Sequence, residues 1–212
     1  MKLNQKIDHT YLAADCTATD IDRICQEAID HGLYAICVPP YFVSRAQKTL
    51  NGSGVKLATV IAFPYGYQET AIKVQEIRRA MDEGADELDV VINLSAVKSG
   101  DWAYVKSDLE SVTTTARLKG RVCKIIIEAG DLTDAEFHRI CNLCNEIKPA
   151  FVKTSTGTRT GATVEQVSKL RTTLVDEIKI KASGGIRDKA FAEQLIAAGA
   201  NRIGASASLQ LI

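Results

Sequence analysis

Short apolar runs alternate with longer amphipathic segments from one end of the chain to the other. The short runs are rich in β-branched residues, which is typical of buried strands, and the segments between them repeat their apolar positions at helical spacing. The predicted strands cover residues 5–8, 34–38, 56–62, 86–92, 122–128, 149–153, 178–182 and 201–204.

The predicted helices carry both start and stop signals. A hydroxyl side chain followed three residues later by a carboxylate or amide is typical of a capping box at a helix start. The candidate boxes are Thr19 with Asp22, Thr133 with Glu136, and Thr163 with Gln166. Glycine just before a strand favours a left-handed helix end. The glycines at such positions are Gly32, Gly84, Gly120 and Gly199.

This alternation predicts the fold. Strands that alternate with helices form a parallel sheet with right-handed crossovers, and about eight such units close into a barrel. An open doubly wound sheet would have fewer, longer units, and no G-x-G-x-x-G motif follows the first strand. We therefore predict an α/β protein with one (β/α)8 TIM-barrel domain over residues 1–212.

Composition and charge narrow the classes of ligand. Hydrophobic residues make up 46% and charged residues 25% of the chain, with 4 prolines, as in an ordinary globular protein. The 26 acidic and 26 basic side chains balance without long runs, which argues against nucleic acid or a membrane as partner. The N-terminus lacks the apolar core of a signal peptide, and no run approaches the ~20 apolar residues of a membrane span. We expect a cytoplasmic protein with a small ligand.

The six cysteines are expected to be reduced thiols, because a disulfide framework belongs to secreted chains. His138, Cys141 and Cys144 follow one another at intervals of three on a predicted helix. Ligands at that spacing rotate off one face and do not converge on one ion. We interpret them as an ordinary helix face, and we expect neither a metal nor another cofactor.

Charged residues inside the strands indicate where chemistry takes place. Residues of a barrel strand alternate between the interior and the helix-covered outside, and a charge in either place is costly unless it is paired or functional. The side chains predicted to point inward are Glu87, Asp89, Val91, Lys124, Ile126, Glu128, Phe151, Lys153, Lys179, Lys181 and Ser183. Lys153, Lys181 and Glu128 fall at the carboxyl ends of their strands, where barrel enzymes build active sites. Lys124 and Lys179 lie nearer the opposite end, where we expect a structural role.

Two lysines and one acid on neighbouring strands suit carbonyl chemistry. A lysine amine attacks a carbonyl group only when it is neutral, and its ordinary pKa is about 10.4. Lowering that pKa to about 7 costs about 4–5 kcal/mol, which burial and a second ammonium together can supply. Lys153 and Lys181 provide this arrangement, and Asp89 can accept and return protons. The alternative is that the same three residues form a structural ion-pair network.

The loops after the last two strands indicate a phosphate site. SGGIR and GASAS follow strands seven and eight, where phosphate-binding barrels place backbone N–H groups and a short helix. Singly, these glycines suit tight turns equally well, but their pairing favours phosphate. The expected cradle consists of Gly184, Gly185, Gly204 and Ser206, with Arg187 as a charged partner and Gly157 closing the pocket.

Several segments together resemble one enzyme family. FVKTSTGT, IKIKASGGIR, ELDVVINL, IDHTYL and YAICVPP are similar, in order and across essentially the whole chain, to the motifs of deoxyribose-phosphate aldolases. The resemblance implies reversible cleavage of 2-deoxy-D-ribose 5-phosphate to D-glyceraldehyde 3-phosphate and acetaldehyde. It implies that Lys153 forms a Schiff base, that Lys181 depresses its pKa and that Asp89 relays protons. Further substrate contacts are expected from Asp8, Thr10, Cys37 and Thr154. A homodimer is also expected.

Three positions depart from the pattern of some relatives. Thr158 stands where they have a phosphate-holding lysine, and Ala207 replaces a serine, so we expect weaker phosphate binding. The sequence given stops at Ile212, without the tyrosine-bearing tail that some relatives use in proton abstraction, so we expect that step to be less efficient.

Two other readings of the sequence stay open. A sugar-phosphate epimerase or isomerase would share the anion site but usually relies on carboxylates or histidine. Only His9, His31 and His138 are present, and their scatter also argues against a zinc-dependent aldolase. A barrel that merely senses a sugar phosphate should keep its affinity for that ligand when Lys153 is lost.

Overall fold

The predicted barrel is confirmed. In a computed structural model, which describes residues 2–212, eight parallel strands pair in chain order and β8 pairs with β1 to close the barrel. The strands are β1 (Ile7–Thr10), β2 (Ala35–Val38), β3 (Lys56–Ile61), β4 (Glu87–Val91), β5 (Val122–Ile126), β6 (Phe151–Lys153), β7 (Lys179–Ser183) and β8 (Arg202–Ala205).

Helices surround the strands. They are α1 (Ala18–Asp30), α2 (Val43–Leu50), α3 (Thr70–Asp82), α4 (Leu94–Lys98), α5 (Trp102–Arg117), α6 (Asp134–Ile147), α7 (Val164–Thr173) and α8 (Lys189–Ala197). Both α4 and α5 follow β4, and β8 is followed by the 3-10 helix Ser208–Gln210. No helix within residues 2–212 is long and apolar enough to cross a membrane.

The predicted and observed elements differ most at the N-terminus. Residues 5–8 were expected to form the first strand, but Leu3–Lys6 form a 3-10 helix and β1 begins at Ile7. The capping box of α1 joins Thr17 to Asp20, so the prediction of Thr19 with Asp22 was wrong. The two pairs have the same spacing, and the pattern alone does not distinguish them.

The other helix signals are confirmed. Thr133 and Thr163 each form a capping box with the residue three positions later. The four glycines predicted at helix ends all have the left-handed conformation that favours glycine. Their φ angles are 57° at Gly32, 109° at Gly84, 65° at Gly120 and 116° at Gly199.

The two faces of the strands differ sharply in polarity. The outer faces contribute buried apolar side chains such as Leu88, Ile125 and Ile180 to the core against the helices. On the inner face, Asp89 pairs in register with Lys124, and Lys153 pairs in register with Lys181. The large apolar core therefore lies outside the sheet, whereas the barrel interior combines buried charges with a small apolar cluster of Cys37, Ala58 and Val60.

Candidate active site

Two lysines and an aspartate meet at the carboxyl half of the barrel. The Nζ atoms of Lys153 and Lys181 each lie 2.8 Å from the same oxygen, Oδ2 of Asp89. All three side chains are buried. The three residues that the sequence singled out for carbonyl chemistry are thus in direct contact.

These residues belong to a larger group of buried charges, here called the interior cluster. It consists of Asp8, Glu87, Asp89, Lys124, Lys153, Lys181 and Arg202. Lys124 lies 2.7 Å from Asp89 Oδ1 and 2.6 Å from Glu87, and Asp8 lies 2.5 Å from both Lys181 and Arg202. Four cationic side chains face three carboxylates, so full ionisation leaves one positive charge in excess.

Sequence reasoning missed part of this cluster. Arg202 was not considered, although it lies two residues before the inward-facing Gly204 and alternation places both on one face. Its guanidinium group also lies 3.5 Å above the ring centroid of Tyr34. Lys124 was expected to have a structural role away from the site, yet it contacts Asp89 directly. Lys179 lies at the exposed amino end of β7.

The electrostatic environments of the lysines differ. Burial lowers the pKa of Lys153 despite the attraction of Asp89, and the charge of Lys181 adds to the decrease. Burial also disfavours the charge of Lys181, but the carboxylates of Asp8 and Asp89 outweigh it and raise the pKa of Lys181. In the same way, Asp89 and Glu87 overcome burial and raise the pKa of Lys124. The excess charge is therefore most easily lost at Lys153.

A cavity of about 260 Å³ opens at the carboxyl ends of the strands. The predicted site residues that line it are Thr10, Lys153, Gly157, Gly184, Gly185, Arg187, Gly204 and Ser206. Leu12 and Phe63 add an apolar wall that was not predicted. Lys153 is the member of the interior cluster that reaches this cavity, whereas Asp89 and Lys181 are buried behind its wall.

Three residues expected to contact substrate also lie behind the cavity wall. Asp8 is fully buried and bonded to cations, which hold the pKa of its carboxyl at about 2 although burial opposes this. Cys37 is fully buried, and burial together with Asp89 raises the pKa of its thiol to about 11. Thr154 donates a hydrogen bond to the Ser183 carbonyl and accepts one from the Ser183 N–H, which joins the ends of β6 and β7.

The loops after β6, β7 and β8 form a rim of the cavity that carries free backbone N–H groups. The backbone N–H groups of Gly157, Gly185 and Ser206 make no hydrogen bond within residues 2–212, and all three residues line the cavity. Gly184, with φ 94°, packs against Gly157, and a Cβ at Gly184 would lie 3.0 Å from the Gly157 Cα. Free amides held on closely packed glycines are suited to oxyanions.

Gly204 has a second use beyond the predicted cradle. A Cβ at this position would lie 2.8 Å from Cε of Lys181. The missing side chain therefore leaves the space through which Lys181 reaches Asp89.

His138, Cys141 and Cys144 do not share one face of α6. His138 is exposed on α6, whereas Cys141 and Cys144 are buried in the core. Burial raises the pKa of Cys141 to about 12, so this thiol stays neutral at neutral pH. No group of three potential metal-ligating side chains comes together within residues 2–212.

Comparison with known proteins identifies the family. The family model of the DeoC/LacD aldolases matches residues 2–210. Deoxyribose-phosphate aldolases from Thermococcus gammatolerans and Mannheimia succiniciproducens are 47% and 43% identical, over 100% of this chain and 96% and 94% of their own lengths. The solved deoxyribose phosphate aldolase of Aeropyrum pernix superposes with a TM-score of 0.92 at 30% identity, covering 99% of this chain and 88% of that one. By this match over almost its whole length, the chain belongs to the DeoC/LacD family of aldolases.

Proposed function

We propose that this enzyme is a class I aldolase that reversibly cleaves 2-deoxy-D-ribose 5-phosphate to D-glyceraldehyde 3-phosphate and acetaldehyde through a Schiff base on Lys153. One observation carries the proposal. Lys153 is the cation of the interior cluster that lines the cavity, and it shares one oxygen of Asp89 with Lys181.

The first step is attack of the neutral Lys153 amine on the substrate aldehyde. The amine forms a carbinolamine, which loses water to give a protonated Schiff base. Asp89 is held ionised by three lysines, which keep its pKa well below the usual range although burial opposes this. It is therefore suited to orient the two amines and to pass a proton between them rather than to store one. Lys181, whose pKa is raised, stays cationic and supplies the like charge.

Bond cleavage follows from the Schiff base. When the C3 hydroxyl gives up its proton, the C2–C3 electron pair moves into the iminium group, which releases D-glyceraldehyde 3-phosphate and leaves an enamine on Lys153. Protonation of the enamine carbon and hydrolysis then release acetaldehyde and restore the free amine. No metal or redox cofactor is needed for this electron balance.

The phosphate end of the substrate is assigned to the part of the cavity wall that the loops after β6, β7 and β8 form. The unpaired N–H groups of Gly157, Gly185 and Ser206 supply donors, and Arg187 supplies a positive charge at the exposed edge. Thr158 lines this wall in place of the lysine of some relatives, and its hydroxyl lies 2.9 Å from that of Thr156. Lower affinity for phosphate than in those relatives is the expected consequence.

Trapping of the Schiff base tests the proposal. Incubation with acetaldehyde and borohydride should place an ethyl group on Lys153, located by peptide mass, and Lys153→Leu should abolish it. Lys181→Leu serves as the comparison, because it should keep the fold but lose most turnover by leaving Lys153 protonated. Absence of an adduct would contradict the mechanism and would favour an isomerase or a sugar-phosphate sensor, whereas an adduct on another lysine would contradict the role of Lys153.

Location and assembly are further parts of the proposal. The family membership supports a cytoplasmic enzyme of deoxynucleoside and carbohydrate catabolism. The homodimer expected from the resemblance is tested by light scattering, which should give twice the 23.0 kDa of the chain. The Aeropyrum pernix relative is described as a tetramer, so four times that mass is the competing outcome.

A further inference from the structure

Glu128 is a buried carboxylate outside the interior cluster. It lies just after β5, is fully buried and has the left-handed backbone conformation, with φ 50°. None of the ion pairs found within residues 2–212 includes it. Burying an unpaired carboxylate and holding a non-glycine residue in this conformation both cost free energy. Interactions of Glu128 must therefore compensate for these two costs.

The compensation comes from the loop between β6 and α7. One oxygen of Glu128 accepts a hydrogen bond from the N–H of Thr156, and the other accepts one from the hydroxyl of Thr160, each at 3.0 Å. The two contacts bracket Gly157 and Thr158, which line the cavity. Charge-assisted hydrogen bonds of this kind are stronger than neutral ones. A single side chain thus fixes both ends of the segment that carries the free N–H of Gly157.

The same loop touches the rim at two further points. The N–H of Ala162 donates to the carbonyl of Gly184, and Gly157 packs directly against Gly184. Displacement of residues 156–160 would therefore move the free N–H of Gly157 and disturb Gly184 together. Lys153 ends β6 three residues before Thr156 and is held independently by Asp89.

We propose that Glu128 is a positioning residue for phosphate recognition: it holds residues 156–160 in the conformation that receives the phosphate group of the substrate. The proposal deepens the proposed function, on which it rests for the identity of the substrate. Glu128 acts through the loop and does not touch the substrate, because it lies beneath the loop and does not line the cavity. Its loss should penalise phosphorylated ligands selectively.

The test compares Glu128→Gln with wild type on two substrates, 2-deoxyribose 5-phosphate and 2-deoxyribose. Glutamine keeps the size but turns an NH2 group toward one of the two donors. We expect kcat/KM for the phosphorylated sugar to fall at least tenfold, mainly through KM, whereas kcat/KM for the unphosphorylated sugar changes by less than about threefold. An equal loss on both substrates would mean general damage to the site and would overturn the proposal.

A control variant and a binding measurement separate this idea from the proposed function. Asp131→Asn removes the 2.8 Å ion pair with Arg159 on the exposed side of the same loop and leaves the Glu128 contacts in place. It should affect both substrates little. Binding of inorganic phosphate, followed by calorimetry, should weaken at least tenfold in Glu128→Gln. Unchanged phosphate affinity in Glu128→Gln would contradict the positioning role of Glu128. A wild-type protein that binds phosphate but has no aldolase activity would contradict the aldolase assignment alone.

Discussion

The protein buries lysines in two places, and only one of them is arranged for chemistry. The interior cluster lies within the barrel. The second place, here called the helix-layer pair, consists of Lys73 on α3 and Asp108 on α5, whose charged atoms lie 2.6 Å apart. Lys73 also donates to the carbonyl of Val91 at 3.0 Å, and Thr70 donates to Asp108 at 2.8 Å.

A lowered lysine pKa does not distinguish the two regions. Burial lowers the pKa of Lys73 despite the attraction of Asp108, just as burial lowers the pKa of Lys153 despite Asp89. The difference lies in charge balance and access. Lys73 has a carboxylate of its own and does not line the active-site cavity, whereas Lys153 shares its carboxylate with two other lysines and lines that cavity. Perturbed titration therefore indicates a nucleophile only together with an unbalanced charge and an open path to substrate.

Replacing Lys153 and Lys73 by leucine, one at a time, should show that the first supports activity and the second supports stability. Lys153→Leu should lower kcat/KM on the order of 10⁴-fold or more, because the proposed nucleophile is lost. Its free energy of unfolding should change little, since the variant removes the excess charge. Lys73→Leu should lower the free energy of unfolding by about 3–5 kcal/mol, because it leaves Asp108 buried without a cation. Steady-state assays and urea unfolding measure the two effects.

The matched control removes both members of the helix-layer pair. Lys73→Leu with Asp108→Leu should regain part of the lost stability, because no unpaired charge stays buried. Loss of turnover in a Lys73→Leu variant that is still folded would contradict the division between the two regions.

The free energy of unfolding at acid pH should depend on Asp8. Its folded pKa of about 2 is below the unfolded value of about 3.9, so the contribution is present above pH 4 and is lost as the pH falls toward 2. The difference corresponds to about 2–3 kcal/mol in full and to about 2 kcal/mol between pH 4 and pH 2. The gap in unfolding free energy between wild type and Asp8→Asn should therefore narrow by about this amount between pH 4 and pH 2. A gap that stays constant over this range would show that Asp8 gains nothing from Lys181 and Arg202.

Much of this architecture could be predicted from the sequence, and the reasons differ by region. Alternation along ELDVV and IKIKAS placed Asp89 and Lys181 on the inner face because a strand has a period of two. The boundary of β1 could not be fixed in the same way, since only four residues, Ile7–Thr10, pair with neighbours. Short strands carry too few alternating positions to determine their ends.

The contacts between side chains of different strands were harder to predict than which residues of each strand point into the barrel. Arg202 and Asp8 are 194 positions apart along the chain and meet only because β8 closes on β1. Lys124 was assigned to a structural layer by its height in β5, but the register of β4 and β5 places it directly beside Asp89. The register between two strands depends on the tertiary structure, so the position of Lys124 within its own strand did not reveal its partner. The role of Glu128 was hidden for the same reason, because its partners lie on another loop.

The smallest expected effect tests charge balance within the interior cluster itself. Lys124→Met removes one cation bonded to Asp89 and leaves three cations opposite three carboxylates, so Lys153 should hold its proton more tightly. Glu87→Gln removes a carboxylate bonded to Lys124 and should act in the opposite sense. The midpoint of the pH dependence of borohydride trapping should rise by about one pH unit in the first variant and fall by about the same in the second. Lys124→Arg keeps the charge and should leave the midpoint near the wild-type value. Shifts in the same direction for both variants would show that packing around Asp89, rather than the excess positive charge, controls the protonation of Lys153.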